Sequence, residues 1–166
     1  ETPRYQGGGS SHINVSDESS ALDAVRSVCK VSYAPAFSLT EDVVDEKLQQ
    51  EAEALAADSD VVVLFLGLPE SFESEGFDRA HMRLPECQLA LVERILKVQK
   101  NVAVVLHNGS PVELLFAEEV PAMLEAYLSG QAGGAAVVDL LFGAVSPCGK
   151  LAETFPLRLE DTPCYL

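Results

Sequence analysis

Between Leu68 and Arg79 the sequence places four carboxylates, Glu70, Glu73, Glu75 and Asp78, together with one arginine and two phenylalanines. Carboxyl groups crowded together do not all ionise freely, so one of them can keep its proton into the range useful to a general acid. Glu75 precedes Gly76, which lets the backbone turn close to a ligand. Asp78 precedes Arg79, a neighbour expected to hold that carboxylate ionised and fixed. The chemistry on offer is proton transfer. The competing reading is a solvated acidic loop on an acidic protein.

What must position these groups is the apolar run from Val61 to Leu66, rich in β-branched residues, which reads as a central strand buried on both faces. Open parallel sheets bind ligands just outside the carboxyl ends of their strands, and the acidic loop leaves from such an end. A second buried strand, Val102 to Leu106, empties into His107-Asn108-Gly109-Ser110-Pro111. A lone histidine after a strand is more often hydrogen-bonded structure than a proton carrier. Short helices are expected at 21–29 and 113–119. A helix from the capping box Ser38-Leu39-Thr40-Glu41 is expected to run to about Ala57, and one opened by Pro85 to about Lys100. Residues 31–37, 121–128 and 149–155 are further strand candidates, and Ser129 to Gly134 leads into a helix over 135–142. Four to five strands alternating with helices predict an α/β fold, a three-layer α/β/α sandwich with a mostly parallel sheet. In it the loops 68–84, 107–111 and 129–134 meet at one edge of the sheet.

The amino-terminal loop Gly7-Gly8-Gly9-Ser10-Ser11-His12 has no lysine where a phosphate-cradling loop needs one, and His12 stands where a dinucleotide fingerprint or a nucleophile elbow needs glycine. With 166 residues, a net charge of -15 and a pI near 4.4, the chain fits one domain and disfavours nucleic acid or an anionic membrane as partner. It has neither a run of 18 apolar residues nor the basic-then-apolar start of a signal peptide. Cys29, Cys87, Cys148 and Cys164 form no C-x-x-C pair, and Cys29 and Cys87 lie among apolar residues, which favours a reduced, cytoplasmic protein. The start at Glu1 without methionine suggests a piece of something longer.

Five fragments in order carry a resemblance: Pro3-Arg4-Tyr5-Gln6-Gly7-Gly8-Gly9-Ser10-Ser11-His12; Glu73-Ser74-Glu75-Gly76-Phe77-Asp78-Arg79 with Leu84-Pro85; Asn108-Gly109-Ser110-Pro111; Gly130-Gln131-Ala132-Gly133-Gly134 with Leu141-Phe142-Gly143; and Pro147-Cys148-Gly149-Lys150-Leu151 with Thr154-Phe155-Pro156. Over nearly its whole length the chain resembles the carboxy-terminal α/β sandwich domain of glycoside hydrolase family 3, the group that includes many bacterial β-glucosidases. The resemblance implies a flavodoxin-like sheet whose first strand lies ahead of residue 1. It also implies a retaining reaction in which the carboxylate nucleophile comes from an amino-terminal barrel domain and the acid/base from this one. Glu75, at the Ser-Glu-Gly step, inherits the acid/base role, with Glu73 its closest rival. Arg4, Gln6, Gly8, Ser10, His12, Glu73, Asp78, Arg79 and Asn108 are then expected to line the sugar site or the barrel interface. The implied partners are a β-glucoside and the barrel domain, with no cofactor or metal, and association of copies is compatible with the reading. The alternative is a non-catalytic carbohydrate-binding or domain-docking module whose carboxylates accept hydroxyl hydrogen bonds.

Overall fold

The computed structural model describes residues 2–165. The two apolar runs form strands β1, Val62–Gly67, and β2, Val102–His107, which pair in parallel from Val62 opposite Val102 to Gly67 opposite His107. Strand β3, Ala122–Glu125, adds in parallel on the far side of β2. The order β1-β2-β3 points all three carboxyl ends the same way, so the chain leaves the sheet at residues 68, 108 and 126 side by side. The convergence of loops expected from the sequence is present. The strand at the centre is β2, whose Val104 and Val105 are fully buried on opposite pleats. β1, expected there, is an edge of the described sheet, with Val63 and Phe65 37% and 39% exposed.

Helices α1, Ala21–Arg26, α2, Glu46–Ala57, α3, Glu86–Val98, and α4, Gly133–Leu141, complete an α/β sandwich with a short 3-10 helix at Leu159–Asp161. Leu64, Leu66, Val104 and Leu106 point from one pleat into a core shared with Ala52 and Ala56 of α2 and Leu91, Val92 and Ile95 of α3. The two alanines keep α2 close to α3. Helix α1 packs on α4, and a Cβ at Gly134 would come within 2.2 Å of the Ser19 carbonyl oxygen, so only glycine permits that approach.

Helix ends follow local chemistry more than periodicity. The helix expected from Ser38 begins at Glu46, because Asp45 caps it by accepting from Lys47 N and Leu48 N, while the Ser38 hydroxyl is used in a turn by Thr40 N and Glu41 N. Pro85 stands at the cap of α3 without a side chain able to accept. Asp42 supplies the acceptor from a distance, taking Cys87 N at 2.8 Å. Burial alone would push Asp42 up, but the backbone N–H groups of Cys87 and Glu86 hold it below the usual carboxylate range. Residues 31–37 and 149–155 are not strands: both run largely exposed and pair with neither edge of the sheet, and Ala36 takes the left-handed conformation at φ 56°. Residues 113–119 make tight turns, Ala117 N to Leu114 O and Glu119 N to Phe116 O, instead of a helix. The described residues therefore hold three strands where four to five were expected. Cys87 is buried as expected, whereas Cys29 is exposed.

At the end of β1, Gln88 of α3 stands in for a neighbouring strand: its amide accepts from Gly67 N at 2.9 Å and donates to Gly67 O at 2.8 Å. Replacing Gln88 with methionine keeps the volume but strips both peptide groups of their partner. Unfolding in urea should lose about 2 kcal/mol of stability, and an unchanged midpoint would mean that the Gln88 bridge contributes nothing.

Candidate active site at the carboxyl end of the sheet

Glu73 sits where three stretches of chain meet. Arg4 donates through Nη2 to its backbone carbonyl at 3.1 Å and its Oε2 at 3.2 Å; Gly109 N donates to Oε2 at 2.8 Å and Ser110 Oγ to Oε1. The Arg4 and Glu73 side chains are only 17% and 18% exposed, so the pair is fixed by packing as well as by charge. The fit at Gly109 is tight, since a Cβ would stand 3.3 Å from both carboxylate oxygens and 3.2 Å from Leu128 Cδ1. Arg79 extends the same cluster, donating to Ser110 Oγ at 3.1 Å and Pro111 O at 2.9 Å. This corrects the expected pairing of Asp78 with Arg79: the guanidinium turns to the 110–111 backbone and hydroxyl, and Asp78 is left exposed. Burial lowers the Arg79 pKa, against the opposing pull of Glu73 and Glu153.

Glu75 is held differently. Its Oε2 accepts from Ser10 N at 2.7 Å and from Ser10 Oγ at 2.6 Å, and the residue is otherwise exposed. The glycine triplet makes this contact, because a Cβ at Gly9, with φ +93°, would fall 2.5 Å from Glu75 Cβ, and one at Gly8 would fall 2.6 Å from Ser74 Oγ. The Ser10 hydroxyl first, then its backbone N–H, hold Glu75 below the usual carboxylate range against a weaker effect of burial. In this state Glu75 is ionised. Gly76, at φ +94°, faces open space.

Gln6 shapes the glycine-rich loop and does not join the carboxylates: Oε1 accepts from Ile13 N at 2.8 Å and Nε2 donates to Ile13 O at 3.1 Å, with the His12 ring 3.2 Å away. Asn108 is fully buried, and its Nδ2 donates to Ser110 O at 2.9 Å and to Glu125 Oε2 at 3.2 Å. Burial lowers the His107 pKa, so the ring is neutral and donates through Nδ1 to Tyr127 O at 3.2 Å while stacking on Phe65. It is structural. Of the residues expected at the site, Arg4, Gly8, Ser10, Glu73, Glu75, Arg79 and Asn108 are brought together, Asp78 lines the hollow beside Glu73, and Gln6 and His12 lie to the side.

Sequence reasoning missed Glu125. It ends β3, its Oε1 accepts from Tyr127 N at 2.8 Å, and its Oε2 accepts from Asn108 Nδ2 at 3.2 Å. Burial pushes its carboxyl up to about 7, the hydrogen bonds from Tyr127 and Asn108 pull against that, and the charge of Glu73 adds to it. The available signal was a carboxylate closing the apolar run Ala122-Met123-Leu124 at the same end of the sheet. Beside Glu73 an open hollow of about 370 Å³ is lined in part by Phe72, Phe77, Asp78, Arg79, His81 and Ser110. No group of three His, Cys, Asp or Glu side chains that could hold a metal ion occurs among the described residues.

The fold is an α/β sandwich that presents one committed and one exposed carboxylate, Glu73 and Glu75, on the loops at the carboxyl end of its sheet. The whole chain, residues 1–166, matches the family model described as the glycosyl hydrolase family 3 C-terminal domain, and the chain belongs to that family. It is 49% identical over 168 residues to thermostable beta-glucosidase B of Acetivibrio thermocellus, covering 99% of this chain and 22% of that protein. It is 48% identical over 168 residues to an exo-alpha-(1->6)-L-arabinopyranosidase of Bifidobacterium longum, with the same 99% and 22% coverage. Among solved structures, the Bifidobacterium adolescentis GH3 beta-glucosidase superposes with a TM-score of 0.92 at 45% identity over 97% of this chain and 24% of that one. The beta-glucosidase of Kluyveromyces marxianus in complex with glucose gives a TM-score of 0.71 at 38% identity, over 75% of this chain and 15% of that one. The chain thus spans about a fifth of the length of the curated relatives it matches.

Because Ser10 lowers the Glu75 pKa, their contact is fully formed above the ordinary carboxylate pKa and is lost as pH falls through the lowered one. Ser10→Ala removes the larger of the two causes. Its Glu75 side-chain carboxyl, followed by NMR against pH, should titrate higher than in the parent chain, and coincident titrations would refute the assignment.

Proposed function

We propose that this chain supplies the general acid/base, Glu75, of a retaining β-glucosidase-type glycoside hydrolase whose nucleophile stands on an amino-terminal barrel domain outside this chain. The observation that carries the proposal is the division of labour between the two nearest carboxylates. Glu73 is bound on both oxygens and partly buried, whereas Glu75 is exposed and held only by Ser10. A proton carrier must be free to reach the glycosidic oxygen, and Glu75 is the one that is free.

In such a reaction the protonated acid gives its proton to the glycosidic oxygen while the nucleophilic carboxylate attacks the anomeric carbon and the C–O bond to the aglycone breaks. The resulting carboxylate then takes a proton from the water that attacks the same carbon and releases the sugar. Glu75 serves the second step as it stands. For the first it must be protonated, which the low dielectric of a covered site favours by raising its pKa. The two relatives of nearly equal identity carry names of different sugars, which supports placing the choice of sugar outside this chain. The four free thiols support a cytoplasmic setting, where cysteines stay reduced. Glu75, ionised in the free chain, also suits a module that only accepts hydroxyl hydrogen bonds, and kinetics separate the two readings.

In the full-length enzyme, Glu75→Ala should slow glycosides of poor leaving groups by about 10²- to 10⁴-fold, spare activated aryl glycosides in their first step, and respond to azide. Glu73→Ala should lower both substrate types together. The selective loss appearing in Glu73→Ala, with Glu75→Ala near the parent rates, would overturn the proposal. The 166-residue chain by itself should show no turnover of an aryl β-glucoside, because one carboxylate of the pair cannot form the glycosyl-enzyme.

A further inference from the structure

Glu125 is a half-buried carboxylate that the mechanism above leaves unused, and its two oxygens face two different elements. Oε1 accepts from Tyr127 N at 2.8 Å, and Oε2 accepts from Asn108 Nδ2 at 3.2 Å. The same Nδ2 donates to Ser110 O at 2.9 Å and so closes the turn in which Gly109 N and Ser110 Oγ grip Glu73. The other end of the Asn108 amide, Oδ1, is buried without a hydrogen-bond partner. A buried acceptor left unmatched costs stability, and a neighbouring donor would remove that cost.

An ionised carboxylate has only acceptors to offer Asn108 and can take nothing but Nδ2–H. A protonated one has lost its charge and accepts Nδ2–H less strongly, which loosens the amide that also holds Ser110 O. The two protonation states of Glu125 thus hold the Asn108 amide with different strength, and the ionised one ties the turn as observed. We infer that Glu125 is a positioning residue for the acid/base loop: through its hydrogen bond with the Asn108 amide it sets the turn that holds Glu73, and with it the place of Glu75. The kinetic consequence rests on Glu75 being the acid/base; the structural link does not.

The charge that acts on Glu125 is that of Glu73, which is itself paired with Arg4, and His107 of β2 is neutral and bound to Tyr127 O. Burial, opposed by Tyr127 and Asn108 and reinforced by Glu73, pushes Glu125 up to about 7, so the two states exchange close to neutral pH. The observed state is the one held above that point, and it is lost as pH falls through it.

Two measurements test this. In the 166-residue chain, ¹⁵N shifts of the Asn108 side-chain amide and the Gly109 backbone amide should follow one titration near neutrality, and both should be flat in Glu125→Gln. In the full-length enzyme, Glu125→Gln mimics the protonated form, since its Nε2 donates where the acid O–H would. Its kcat on a poor-leaving-group glycoside should fall about tenfold on the alkaline side and match the parent on the acidic side, a size in keeping with misplacement of the acid loop by a fraction of an ångström. Glu125→Asp, which keeps an ionisable group, should restore a pH bend. Flat shifts in the parent chain overturn the inference whatever the kinetics show. Titrating shifts with an unchanged pH profile in Glu125→Gln confine Glu125 to local structure and overturn it as well. Parent-like kinetics of Glu75→Ala would instead refute the proposed function, and the amide titration would still decide the link from Glu125 to Asn108.

Discussion

The carboxylate of Glu73 takes hydrogen bonds from Arg4, Gly109 and Ser110, and so ties the glycine-rich segment, the acidic loop and the loop after β2 into one unit. A parallel sheet brings its loops to the same end but leaves their mutual placement to side chains. Here the placement depends on a largely buried ion pair, and such a pair is costly to break from one side because the surviving charge is left without compensation. Ser110 belongs to the Arg79 contact as well, so the fixing of Glu73 and of Arg79 cannot be separated. Ser74 and Glu75 follow Glu73 directly in the chain, and their approach to Gly8, Gly9 and Ser10 is set by where Glu73 is anchored.

Three carboxylates within one site are driven to three different conditions by their surroundings alone. Glu73 is saturated with donors. Glu75, in solvent, meets two donors from one serine and is held ionised. Glu125 is buried with donors of its own, yet desolvation outweighs them and moves it towards neutrality. Glu75 and Glu125 are thus pushed in opposite directions in proton affinity by their surroundings. The crowding of the acidic loop has a smaller part in this than its composition suggests, because the groups closest in sequence point to different partners.

The sheet and its loop convergence were legible in the sequence because two β-branched runs of strand length are hard to read any other way, and parallel pairing of such runs forces their carboxyl ends together. Glu75 and Glu73 were legible from the spacing of the acidic loop and from the family fragments. The strand proposed at 31–37 was not real: strand propensity is set by context, and here the left-handed turn at Ala36 interrupts an extended segment that pairs with no strand. The start of α2 was misread because Ser38 and Glu41 satisfy the capping pattern locally, while Asp45 does the capping. Asp78 and Arg79 are adjacent in sequence, but the arginine reaches across to Ser110 and Pro111, a tertiary contact no local pattern encodes. Glu125 escaped notice for a related reason: its neighbours, Asn108 and Glu73, are distant in sequence, and burial is what makes it unusual.

On the proposed reading, the free chain holds its acid/base in the wrong protonation state for the first step, and this follows from the same contact that positions it. Ser10 donates twice to one oxygen of Glu75, and donors to a carboxylate favour its charged form. A proton donor near neutral pH needs the opposite surroundings, few donors and little water. Both change in the required direction when a substrate and a facing domain cover the loop: desolvation raises the pKa, and movement of Glu75 towards the glycosidic oxygen draws it off Ser10. Gly76, in a left-handed conformation with open space around it, and Gly9, whose missing side chain lets the loops touch, leave the backbone free for such a movement. Glu73, bound on both oxygens, does not have to move with it. The fixed carboxylate is therefore the pivot and the exposed one the moving part, so protonation of the acid is coupled to occupancy of the site and does not need a permanently raised pKa.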